Sequence, residues 1–118
     1  MNGWIGVDLD GTLAVYDGWV SAEHIGEPIW TMVNRVKEWL AKGKDVRIFT
    51  ARLGGLDAER LAPIQQRLTR VTIENWCERY VGRVLPITAT KDFGMVELWD
   101  DRCVQLIPNT GMRADGKS

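Results

Sequence analysis

Apolar runs of strand length alternate along the chain with segments whose apolar positions recur at helical spacing. Residues 4–9, WIGVDL, are the first such run and predict a strand. Residues 28–43, PIWTMVNRVKEWLAKG, predict a helix, because Ile29, Met32, Val33, Val36 and Leu40 fall three and four apart and share one face. Pro28 suits the first turn of that helix and Gly43 its C-terminal stop. A second strand, DVRIFT, is predicted at 45–50. Residues 56–82 predict one or two helices, with Asp57 as a candidate N-cap and Pro63 as a kink or a new start. Short strands are predicted at 84–87, 96–100 and 104–107, and the polar, glycine-containing end at 111–118 predicts a flexible tail.

Strands that alternate with helices imply an α/β domain with a mainly parallel sheet, right-handed crossovers and helices on both faces. A single domain over 1–110 accounts for most of the 118 residues, which suffice for one core. Composition changes this picture little: 45% hydrophobic residues, 26% charged and a net charge of −1 are ordinary for a globular protein and give no basic field for nucleic acid. Cys77 and Cys103 are far apart and lack CxxC spacing or a histidine neighbour, so buried reduced thiols are expected ahead of a disulfide. No run approaches a membrane span and the start is not that of a signal peptide, which predicts a cytoplasmic protein with no membrane partner.

In an open parallel sheet, ligands bind outside the carboxyl ends of the strands. Asp8 and Asp10 stand at that end of the first predicted strand, Thr50 at that end of the second, and Asp100 and Asp101 at that end of a later one. Four carboxylates and a hydroxyl therefore share one rim. Clustered carboxylates resist ionisation unless a cation offsets them, and hard oxygen donors with an incomplete shell suit Mg²⁺. Asp8 and Asp10, two apart, start on one face of a strand, and Gly11 lets the chain turn sharply after them.

Four segments, in order, resemble the motifs of the haloacid-dehalogenase-like (HAD) phosphohydrolases: DLDGT at 8–12 after an apolar strand, FTAR at 49–52, Lys91 ahead of a strand, and LWDD at 98–101. The resemblance spans about residues 4–107 and implies a three-layer Rossmann-like fold of the small capless type, acting as a Mg²⁺-dependent phosphatase. It implies that Asp8 is the nucleophile forming an aspartyl-phosphate, while Asp10 protonates the leaving group and then activates water. Thr50 and Lys91 would hold phosphoryl oxygens; Asp100, with Asp8 and the Asp10 carbonyl, would bind Mg²⁺, with Asp101 a further ligand directly or through water. Gly11, Thr12 and Ala51 would border the substrate, and Arg52 would reach either substrate or a neighbouring acid. The implied partner is a phosphorylated small molecule ahead of a nucleic acid, since Arg67, Arg70, Arg79 and Arg83 do not fall on one helical face. A polynucleotide-end phosphatase or phosphotransferase is the alternative enzyme. A non-catalytic phosphate-binding protein on the same fold is the alternative outside catalysis, although it would have no need of both Asp8 and Asp10.

The fifteen residues between Thr12 and Pro28 are too few for a cap domain. Segment 13–28 therefore reads as a short flap, with Asp17-Gly18 suited to a tight hairpin and Tyr16 and Trp19 beside the phosphate site. Such an open rim would admit a large or base-bearing substrate, or be closed by the second subunit of a homodimer. KDFG at 91–94 matches a kinase signature by coincidence, without a Gly-rich loop or an HRD segment, and His24 is expected to be a surface residue.

Overall fold

Ile5 and Val7 alternate with Trp4 and Gly6 along the first apolar run, and the strand they make, β1 (Trp4–Val7), lies inside a sheet with both faces buried. The computed structural model describes residues 3–53 and 63–117. After β1 come α1 (Trp30–Ala41), β2 (Asp45–Phe49), a 3₁₀ turn (Ala51–Leu53), α2 (Pro63–Tyr80), β3 (Ile87–Thr88) and β4 (Met95–Trp99). β1 pairs in parallel with β2, Val7 opposite Ile48, and with β4, Val7 opposite Trp99. β3 extends the β2 side in parallel, so the order is β3-β2-β1-β4 in an all-parallel α/β sheet.

Met32, Val33 and Val36 of α1 and Ile73, Trp76 and Cys77 of α2 join one core with Ile5, Val7, Val46 and Ile48 of the sheet. Trp30 of α1 meets Tyr80 of α2 edge to face at 6.1 Å, so the two helices cover the same face. Handedness requires this: β1 to β2 and β2 to β3 step the same way, and right-handed crossovers then fall on one side. Helices on both faces are therefore not found among the described residues. The return from β3 to β4 crosses the opposite face as loop 89–94, pinned there by Asp92, which accepts from Trp4 Nε1 and from the Gly94 N–H, each at 2.8 Å. Trp4 is buried beneath it, with the Arg47 guanidinium 4.8 Å from its ring. Gly6 makes room beside that indole, since a Cβ there would stand 2.9 Å from Met95 Cε and 3.2 Å from Trp4 Cζ3.

Four further expectations change. The strand expected at 84–87 is shifted to Ile87–Thr88, because Pro86 has no N–H and only its carbonyl joins the ladder, accepting from Ile48 N at 2.8 Å. Residues 104–107 do not join the sheet; 105–114 fold back on themselves, with Ile107 N–H donating to Met112 O at 2.8 Å and Ala114 N–H to Gln105 O at 2.9 Å. That pairing also takes up most of the expected tail, around Asn109 and Gly111 at φ 65° and 72°. Cys77 is buried and its thiol pushed up to about 12 by burial and by the Glu74 charge, whereas Cys103 is exposed and both are free. Asp57 lies outside the described residues. Among the described residues no helix is long and apolar enough to cross a membrane.

Candidate active site

From β1 the chain moves to β2 on one side and later returns to β4 on the other, so the carboxyl end of β1 is the point where the winding reverses. Asp8 emerges there, its N–H donating to Trp99 O at 2.9 Å. Asp100 and Asp101 follow β4 onto the same rim, and each of the three carboxylates has an oxygen within 4.8 Å of the others. Gly11 permits this approach: its φ is 89°, and a Cβ would stand 2.5 Å from Asp101 Oδ2. The Thr12 hydroxyl lies 3.3 Å from Asp8 Oδ2 and 3.4 Å from Asp101 Oδ1, with one proton to share between them. Burial, then the hydrogen bond with Asp101 and the charges of Asp100 and Asp101, push the Asp8 carboxyl up to about 7, against a smaller opposing pull from Thr12. Three hard oxygen donors that repel one another could hold a divalent cation, which would take the place of a proton on Asp8.

Asp10 takes a different partner. Arg52 Nε donates to its Oδ2 and Arg52 Nη2 to its Oδ1, both at 2.8 Å, in a fork that is nearly enclosed, the two side chains being 6% and 21% exposed. The same guanidinium donates to His24 O at 2.8 Å and Ala22 O at 3.3 Å, and its carbon lies 5.1 Å from the Trp19 ring centroid. Arg52 is aimed by the turn after β2, where buried Thr50 accepts the Arg52 N–H at 3.1 Å and donates its own N–H to Thr88 O at 2.9 Å. Of the two partners expected for Arg52, the neighbouring acid is in contact with it, and Arg52 also lines the cavity described below. His24 is exposed, as expected of a surface residue.

Segment 13–28 is tied at its base rather than at its tip. Ile29 N–H donates to Leu13 O and Val15 N–H to Glu27 O, each at 2.8 Å, and Trp76 Nε1 donates to Gly26 O at 3.0 Å. The tight hairpin expected at Asp17-Gly18 is a bend instead, with Gly18 at φ 116°. Leu13, Ala14 and Pro28 at the base of the segment are buried and Ile25 packs against the core, whereas residues 15–20 are exposed and have no strand to pair with.

A cavity of about 670 Å³ opens between these elements. Asp8, Asp10, Asp100 and Asp101 line it; so do Thr50, Ala51 and Arg52, and so do Tyr16 and Trp19. Gly11 and Thr12 face a second cleft of about 320 Å³ on the α1 side, which shares Asp100 and Asp101. Compared with known proteins, the chain matches no family model, no curated protein and no solved structure. Its chemistry is therefore read from its own geometry.

Lys91 is not brought to the cavity: it is exposed in loop 89–94, and β4 runs between it and Asp100. The lining also includes residues that the sequence did not single out. Arg102 directly follows the paired acids of LWDD, a position that could have marked it, and its N–H donates to Asp100 Oδ1 at 2.8 Å. Gln65, Leu68 and Thr69 reach the cavity from α2, for which the one available signal is that a helix following a strand starts at the ligand-binding end of the sheet. Glu23 on the flap carries no sequence signal at all.

Proposed function

We propose that this protein is a phosphatase that hydrolyses a phosphomonoester through an aspartyl-phosphate on Asp8, with Mg²⁺ as cofactor. The observation that carries the reading is the division between two aspartates two residues apart: Asp8 sits among Asp100 and Asp101, while Asp10 is held separately by Arg52. A nucleophile and a proton carrier need such different surroundings. The resemblance of the ordered segments to the HAD phosphohydrolases supports it too, and an all-parallel sheet with two helices on one face is compatible with such a fold.

Asp8, Asp100 and Asp101 would hold Mg²⁺, which when bound offsets their charge and that of the phosphoryl oxygens. In the first half-reaction a bond forms between an Asp8 oxygen and phosphorus as the bond to the leaving-group oxygen breaks, and Asp10 gives that oxygen a proton. In the second, Asp10 takes a proton from water as the water oxygen attacks phosphorus, and Asp8 leaves as a carboxylate. Both Asp10 oxygens accept from Arg52, so each proton transfer requires one of those bonds to open. The Thr50 hydroxyl, in the cavity wall, would donate to a phosphoryl oxygen.

The test is phosphate release from a panel of phosphomonoesters with and without Mg²⁺. Mg²⁺-dependent release is expected from at least one substrate and none from Asp8→Asn, because an amide is a poor nucleophile. No release from any substrate by folded, Mg²⁺-saturated protein would replace the reading with a phosphate-binding role.

A further inference from the structure

The cavity presents more apolar surface than phosphate chemistry uses. Trp19 and Tyr16 line it yet remain 60% and 40% exposed, and half-exposed Leu68 borders it from α2. Trp19 nonetheless has a fixed neighbour. The Arg52 guanidinium lies 5.1 Å from its centroid, and that guanidinium is itself fixed by Asp10 and by the carbonyls of Ala22 and His24. The indole thus stands at the cavity edge, separated from the proton-carrying acid by one guanidinium. A cavity of about 670 Å³ is also of the size that encloses a whole ligand, in the range of roughly 300–1,000 Å³. Glu23, Gln65 and Arg102 add hydrogen-bond acceptors and donors to its lining, a mixture suited to the polar edge of a heterocycle.

Resting on the phosphatase reading, we propose that the substrate is a 5′-phosphorylated nucleoside whose base stacks on Trp19 while its phosphate meets Asp8. The ribose spans the gap that the Arg52–Asp10 pair sets between ring and acid. An alkyl phosphate would offer no polar edge to Gln65 and Arg102, and a bare sugar phosphate would leave the indole uncovered.

Adenosine 5′-monophosphate and ribose 5-phosphate have the same primary-alcohol leaving group and differ by the base, so their kcat/KM ratio isolates the stacking. The mononucleotide is expected to be favoured by at least about tenfold, the usual scale of one base stacked on an aromatic side chain. Trp19→Ala should bring the ratio close to unity, and Trp19→Phe should keep most of it. The ratio is the readout because freeing Arg52 affects both substrates alike. A 5′-phosphorylated dinucleotide measured alongside tells a free nucleotide from an oligonucleotide end as the source. Calorimetry on Asp8→Asn with Mg²⁺ asks the same question without turnover, and tighter binding of the mononucleotide than of ribose 5-phosphate is expected. Equal kcat/KM for the two phosphates would overturn the nucleoside proposal and leave the phosphatase standing. Selective binding by Asp8→Asn with no turnover by the wild type would overturn the phosphatase and keep the nucleotide site.

Discussion

Arg52 holds both carboxylate oxygens of Asp10, each at 2.8 Å, from 42 residues further along the chain. This one side chain ties the end of β2 to the loop after β1 and, through Ala22 and His24, to the flap. Truncation would strand an acid that is 21% exposed. Arg52→Ala is expected to cost about 3 kcal/mol, the lower end for breaking a buried pair. Arg52→Lys keeps the charge but not the fork and should recover only part of it. Urea unfolding measures both, and faster amide exchange over residues 19–24 in Arg52→Ala would show that the flap has been released. Wild-type stability and exchange in Arg52→Ala would mean that the flap is held by its base alone.

The Asp8 carboxyl sets a pH dependence for the metal-free protein. In the folded state burial, chiefly, pushes it up to about 7 from the ordinary value of 3.8. At high pH both states are ionised, but only the folded one bears the cost of burial and of Asp100 and Asp101. Between these two values the folded state takes up a proton that the unfolded chain releases, so stability rises as pH falls through the window and is lost as pH climbs. In chelator, Tm should therefore be higher at pH 5 than at pH 8. Mg²⁺ should narrow the difference by raising the pH 8 value. A Tm at pH 8 that does not respond to Mg²⁺ would argue against a cation held by these three acids.

Gly11 makes the acid cluster possible, so its substitution should act on fold and cation together. Alanine would have to adopt φ near 89° and place its Cβ 2.5 Å from Asp101 Oδ2. A loss of about 1–3 kcal/mol is expected from the backbone alone. Displacement of Asp101 should in addition weaken the rise of Tm with Mg²⁺. Denaturant melts with and without the cation separate the two effects, and a destabilised variant with an undiminished Mg²⁺ response would remove Asp101 from the cation site.

β1, α1 and β2 were legible because local period and burial agree: Val33 and Val36 lie on the face that the spacing selects, and Val46 and Ile48 alternate inward. The gathering of Asp8, Asp100 and Asp101 was legible too, because parallel strands put their carboxyl ends on one rim. Partner choice was not. Asp10 could have faced the cation or Arg52, and only the turn at Ala51–Leu53 decides which. Nor could the pattern tell a strand that finds a sheet from one that does not: Val104, Leu106 and Ile107 read as a strand, but Leu106 and Ile107 pair within 105–114 and all three stay exposed. The single helical layer follows from strand order, which no local pattern contains.

Lys91 is where the resemblance and the structure make opposing predictions. The motif order assigns it a phosphoryl oxygen, which requires it to stand at the carboxyl end of the sheet. Its loop instead leads into the amino end of β4, where the next residue, Asp92, is bonded to Trp4 at the start of β1. The loop leaves the carboxyl end of β3 at Thr88 and has reached the amino end of the sheet by Asp92, and Lys91 does not line the cavity. Arg102 stands at the other end of that strand, in the cavity wall, with no carboxylate paired to its side chain among the described residues. Lys91→Ala is therefore expected to leave kcat and KM at wild-type values, while Arg102→Ala should raise KM for a phosphomonoester without lowering Tm. Steady-state kinetics on the two variants decides between them. A large fall in kcat for Lys91→Ala, with Tm unchanged, would mean that loop 89–94 leaves Trp4 during turnover and carries the lysine to the phosphate.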